Sequence, residues 1–199
     1  TTLLKTLGLI ANPTEGELYF KDKKIKSLWE DERADIRRRE IGFVFQDFYL
    51  MDSLTVKENI MMPLILNEDN PKKSEQTAVR MAEKFGIAAL LNKKPYELSG
   101  GEKQRTAICR AMAADPELIL ADEPTGNLDS NSSRVVIQSL AHINKEMKKT
   151  ILLVTHDPKV ASYCDKIILL KDGRIMDVLE RDAQQKVFYQ RILKNMARI

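Results

Sequence analysis

Four short apolar runs constrain what this chain can fold into: residues 41–46 (IGFVFQ), 118–122 (LILAD), 150–156 (TILLVTH) and 166–170 (KIILL). A strand with one wet face alternates apolar and polar residues. These runs are apolar almost throughout, so both faces must be covered, as in a parallel sheet with helices above and below. Helix-length stretches at about 101–114, 130–147 and 158–164 precede the last three runs, one ahead of each, and supply that cover. The pattern predicts an α/β fold.

Before the first run, GELYF at 16–20 reads as a strand, followed by a polar turn at 21–24 and a charged segment. After it, from residue 54 to about 91, the period becomes helical. TVKENIMMPLIL and SEQTAVRMAEKFGIAALL are amphipathic stretches separated by the polar loop NEDNPKK, which predicts an all-helical insertion. The apolar runs fall far short of the roughly 18–20 residues that a membrane span requires. With 32 basic and 29 acidic side chains interleaved and a net charge of +3, no polyanion-binding surface and no nucleic-acid partner is expected. The clusters at 37–39 (RRR) and along the basic tail from 181 to 198 read as solvated faces. Cys109 and Cys164 have no metal-ligand spacing, which fits a reducing compartment.

The chemistry concentrates at strand ends. Asp122 closes LILAD and Glu123 follows at once, placing two carboxylates at the carboxyl end of a buried strand, where open α/β sheets bind ligands. Asp122 is suited to hold Mg²⁺ through its water shell, and Glu123 to orient and deprotonate a water for attack on a γ-phosphate. Ser99, Gly100 and Gly101, within LSGGEKQR at 98–105, open a helix whose N–H groups and dipole favour an anion. His156 ends the strand LLVTH, within reach of a γ-phosphate or its attacking water, and Gln46 ends IGFVFQ, joining the core to the insertion.

Across essentially the whole chain, these residues resemble the nucleotide-binding subunit of ATP-binding cassette (ABC) transporters. LSGGE, including Glu102, is similar to the signature motif; LILADE to the Walker B strand with its glutamate; NLDS at 127–130, including Asp129, to the D-loop; Gln46 to the Q-loop glutamine; and His156 to the switch histidine. Thr1 and Thr2 resemble the last two residues of the phosphate loop, with Thr1 offering a hydroxyl to Mg²⁺ and LLKTLGLI forming the following helix. The glycines and lysine of that loop, the upstream strand and the adenine-stacking aromatic are not in the chain, so the resemblance implies a chain that begins within the motif. ATPase activity is expected where the natural chain supplies that segment. A non-catalytic remnant is the alternative.

The resemblance implies a P-loop NTPase (RecA-like) ABC core with an inserted helical subdomain and an incomplete N-terminal β part. Residues 1–46 and 102–180 would form the core, about 47–101 the helical subdomain and 181–199 a basic C-terminal helix. It also implies ATP and Mg²⁺ as ligands, catalysis by Glu123 and His156, and nucleotide contacts from Thr1, Thr2, Gln46, Ser99, Gly100, Gly101, Glu102 and Asp129. Thr1, Gln46 and Asp122 would serve the metal. The working unit would be a head-to-tail homodimer on a transmembrane permease, peripheral to the cytoplasmic face of the membrane. Within the family, FVFQDFYLMDSLTVKENI and EPTGNLDS are similar to the macrolide and lipoprotein-release branch, and THDPKVASYCDKIILLKDG with FYQRILKN to bacitracin-type peptide-antibiotic resistance ATPases. Lipoprotein release or cell division is the alternative role.

Overall fold

The structure is a computed structural model that describes residues 1–182 and 184–197. It divides into two compact units, Thr1–Val154 and Thr155–Ile199. In chain order the first unit holds α1 (Thr2–Leu7), β1 (Tyr19–Phe20), β2 (Lys23–Lys24), α2 (Glu30–Arg39), β3 (Ile41–Phe45), α3 (Val56–Leu66), α4 (Pro71–Lys84), α5 (Gly100–Ala113), β4 (Leu118–Asp122), α6 (Ser130–Lys145) and β5 (Thr150–Val154). The second holds α7 (Pro158–Ala161), β6 (Lys166–Lys171), β7 (Arg174–Glu180) and α8 (Gln185–Met196).

Three of the apolar runs form the expected parallel sheet, in the order β3-β4-β5. Their register places Phe45, Asp122 and Val154 level with one another, so three strand ends open on one edge. Both faces are covered. On one, Leu4 of α1 and Ile36 of α2 pack with Leu9, Ile25, Ile41 and Leu120. On the other, α5 lies against β3 and α6 against β5. Ile119 and Leu120 are both 0% exposed, and each stabilises the fold by about 1.5–3 kcal/mol through apolar burial. The insertion is helical: α3 and α4 pack on each other and on α5. Thr55 caps α3 in a reciprocal pair with Glu58, and Asn70 caps α4 ahead of Pro71. The fully buried Asn59 accepts from the Met51 amide at 2.8 Å and donates to the carbonyls of Met51, Leu54 and Thr55, fixing the chain that leads into α3.

The structure corrects several expectations. The strand at 16–20 shrinks to β1, and the expected turn at 21–24 contains its antiparallel partner β2. The charged segment before β3 is the helix α2. Its first turn carries Glu30, Asp31 and Glu32 and its last Arg37, Arg38 and Arg39, so charge complements the helix dipole at both ends. The RRR cluster is tied to its own helix, Arg37 to Glu30 at 2.8 Å, and Arg38 and Arg39 to Asp35 at 2.6 and 2.8 Å.

In the second unit, the fourth apolar run is not part of a parallel sheet. β6 pairs antiparallel with β7 across a turn whose central residues, Asp172 and Gly173, both have positive φ, as a two-residue hairpin demands. Ile167, Leu169 and Leu179 pack against Phe188 and Ile192 of α8. The basic tail is helical over Gln185–Met196 rather than from residue 181, because Arg181 turns back to pair with Asp165 and to donate its amide to the Asp165 carbonyl at 2.8 Å. Ala183, Arg198 and Ile199 of the expected 181–199 helix lie outside the described residues.

Candidate functional site

Asp122 sits at the carboxyl end of β4 with 9% of its surface exposed. The Thr1 hydroxyl donates to its Oδ2 at 2.8 Å, joining residues 121 positions apart. Its Oδ1 is buried with no hydrogen-bond partner. A buried carboxylate oxygen left without a donor is costly unless a cation answers it. A carboxylate oxygen of this kind beside a threonine hydroxyl has the donor chemistry that suits a hard divalent ion such as Mg²⁺.

Glu123 leaves the strand at φ 44°, in the left-handed region that a glutamate seldom occupies. Its amide donates to the Val154 carbonyl at 2.9 Å and its carbonyl accepts from the Gly126 amide at 3.0 Å, so the sheet edge and the following turn hold it there. Gln46 lies across that turn. A Cβ on Gly126 would stand 2.9 Å from the Gln46 amide group, so only glycine leaves room for it. Gln46 Nε2 donates to Asn127 Oδ1 at 3.0 Å, while Asn127 Nδ2 donates to the Gln46 carbonyl at 3.3 Å and to Asp47 at 2.9 Å. One asparagine thus binds the turn after the acids to the segment after β3.

The LSGGE residues form the N-terminus of α5. Ser99 is its N-cap: the Glu102 amide donates to Ser99 Oγ at 3.4 Å, and the Ser99 amide and hydroxyl both donate to the Glu102 carboxylate at 2.8 Å. The Ser99 N–H, followed by its hydroxyl, holds the Glu102 carboxyl below the usual carboxylate range. Gly101 is buried, and a Cβ there would meet Ser132 Oγ at 2.8 Å, so its lack of a side chain lets α5 start against α6. Asp129 caps α6, accepting from the amides of Asn131 and Ser132 at 2.9 and 3.0 Å and from the Ser132 hydroxyl at 2.6 Å. That hydroxyl, followed by the Ser132 amide, lowers its pKa. Thr2 opens α1 on the surface.

Hydrogen bonds therefore join Thr1 with Asp122, Gln46 with the turn after Glu123, and Ser99 with Glu102. His156 belongs to the second unit, where Asp157 next to it caps α7 by accepting from the Lys159 amide at 2.7 Å. Among the described residues, no helix is long and apolar enough to cross a membrane. Sequence reasoning passed over Asn127 and Gln104. Asn127 lay inside a quoted motif. Gln104 carried its own signal, an uncharged polar residue among the buried positions 101, 104, 107, 108 and 111 of α5.

Known proteins resemble this chain in sequence and fold. The family described as ABC transporter matches residues 1–126. The ABC transporter ATP-binding protein YvcR of Bacillus subtilis (strain 168) is 47% identical over 99% of this chain and 76% of its own length. The bacitracin export ATP-binding protein BceA of Halalkalibacterium halodurans is 40% identical over 98% of this chain and 77% of its own. The structure of a post-hydrolysis dimer of the ATP-binding cassette MJ0796, bound to ADP and Pi, superposes with a TM-score of 0.82 at 40% identity, covering 90% of this chain and 79% of that one. MJ0796 comes from Methanocaldococcus jannaschii. Paired acids at a parallel strand end, a serine-capped glycine helix start and this degree of likeness lead to one assignment: the chain belongs to the ABC transporter family, as an ATP-binding subunit.

Proposed function

We propose that this subunit hydrolyses ATP with Mg²⁺ to drive a transmembrane permease, working as a homodimer peripheral to the cytoplasmic face of the membrane. The observation that carries the reading is Asp122 Oδ1, buried without a donor beside the Thr1 hydroxyl, with Glu123 next along the chain. Asp122, Thr1 and Gln46 would hold Mg²⁺, which when bound neutralises charge on the transferred phosphoryl group. Glu123 orients and deprotonates the attacking water, and the left-handed backbone there sets where its side chain leaves the sheet. His156 contacts the γ-phosphate or that water. Thr2 and the α5 N-terminus, with Ser99, Gly100, Gly101 and Glu102, contribute nucleotide contacts together with Asp129, the latter group facing the second copy of the chain. Residues 1–46 and 102–180 act as the catalytic core, about 47–101 as the helical part that meets the permease, and 181–199 as a C-terminal helix.

Likeness to BceA supports peptide-antibiotic export as the transport role. The test is Glu123→Gln in the complex with its permease. ATP binding persists while turnover falls by about 10²–10⁴-fold, the usual worth of a positioned general base. Turnover within a few-fold of the parent would refute the assignment.

A further inference from the structure

Gln104 lies in the middle of α5, 0% exposed, and its amide is aimed at backbone rather than at solvent. Its Nε2 donates to the Pro124 carbonyl at 2.7 Å and to the Phe45 carbonyl at 3.3 Å. Phe45 immediately precedes Gln46, and Pro124 immediately follows Glu123. One NH₂ group therefore spans the ends of β3 and β4 at the point where both proposed active-site side chains leave the sheet. The other half of the amide, Oε1, is buried with no hydrogen-bond partner. A glutamine kept for helix packing alone has no reason to bury an orphaned acceptor, since an apolar side chain of the same volume would avoid it. The two donated bonds are what the residue supplies.

We propose that Gln104 is a positioning residue for ATP hydrolysis, fixing the separation of Gln46 and Glu123 from the helix that begins with LSGGE. The inference rests on Glu123 being the general base. Because Gln104 is fully buried and its donors are spent on two backbone carbonyls, its loss acts on the geometry of the chemical step: kcat falls, while KM for ATP stays unchanged. Displacements of about 1 Å in such a constellation are sufficient to cost up to a hundredfold.

The test compares steady-state ATP hydrolysis by the complex with its permease for Gln104→Met, Gln104→Glu, Ile108→Val and Glu123→Gln. Gln104→Met keeps the volume and removes the donors; it is expected to lower kcat by about tenfold or more with KM within about twofold. Ile108→Val trims a buried neighbour on α5 without touching a donor and is expected to leave kcat within about twofold at a similar loss of thermal midpoint. Gln104→Glu sets a carboxylate against two carbonyls, but its protonated form regains a donor, so its kcat relative to the parent rises as pH falls. Should Gln104→Met not fold, the Gln104→Glu pH profile decides. Parent-like kcat in Gln104→Met, equal losses in Gln104→Met and Ile108→Val, or a flat relative profile for Gln104→Glu would each overturn the inference. An active Glu123→Gln would instead overturn the general-base assignment beneath it.

Discussion

Replacing Gly42 by alanine tests whether the distance between α5 and the sheet is set by backbone contact. A Cβ at Gly42 would lie 2.5 Å from the Ala111 carbonyl oxygen of α5 and 2.8 Å from Ile119 Cδ1. Carbon and oxygen need about 3.3 Å, so strand and helix must part by roughly 0.8 Å. Neither the carbonyl nor the new methyl has a rotamer to escape into. Overpacking of this kind costs about 1–3 kcal/mol, and alanine recovers about 0.5–1 kcal/mol of the entropy that glycine loses in a strand. A net loss of about 1–2 kcal/mol in a chain of this size lowers the thermal midpoint by about 2–8 °C. Circular dichroism melts of parent and variant read it directly. Adding Ile119→Val removes the Cδ1 contact but leaves the carbonyl, so the double variant stays below the parent. A midpoint equal to or above the parent's for Gly42→Ala, or full rescue by Ile119→Val, would refute the backbone origin of the constraint.

Gly126→Ala presents the opposite case, since its Cβ would meet only the end of the Gln46 side chain. Stability should change by less than about 1 kcal/mol, while ATP turnover falls because Gln46 is pushed off Asn127; unchanged turnover would show that the Gln46–Asn127 contact is dispensable. Glu102, held low by the Ser99 amide and then its hydroxyl, contributes stability that is present above the ordinary glutamate value of about 4.3 and is lost as pH falls through its lowered value. An NMR titration of its carboxyl carbon should give a midpoint below that value, and one at or above it would show that the reciprocal cap does not form in solution.

The central sheet was legible because a strand buried on both faces must be apolar throughout, and β3, β4 and β5 obey that rule. The run at 166–170 obeys it too, yet β6 pairs with β7, whose RIMDVLE pattern buries Leu179 alone and offers no continuous apolar signal. Helix α2 was hidden for a related reason: only Ile36 is buried, so hydrophobic period is silent and the evidence lies in the acidic first turn and basic last turn. The two carboxylates stood out because they adjoin a strand end. Their environment did not. Gln46 and Asn127 are separated by 81 residues, and no local pattern announces that they meet. The same holds for Gln104 and the two carbonyls that it bridges.

The left-handed backbone at Glu123 sets protein engineering against function. Glycine at that position would relieve a conformation that costs a glutamate on the order of 1–3 kcal/mol. A library selected for heat resistance alone would therefore favour glycine at 123 and discard the carboxylate on which turnover is proposed to depend. Stabilised descendants of this chain have to be sought at other positions, with residue 123 held constant.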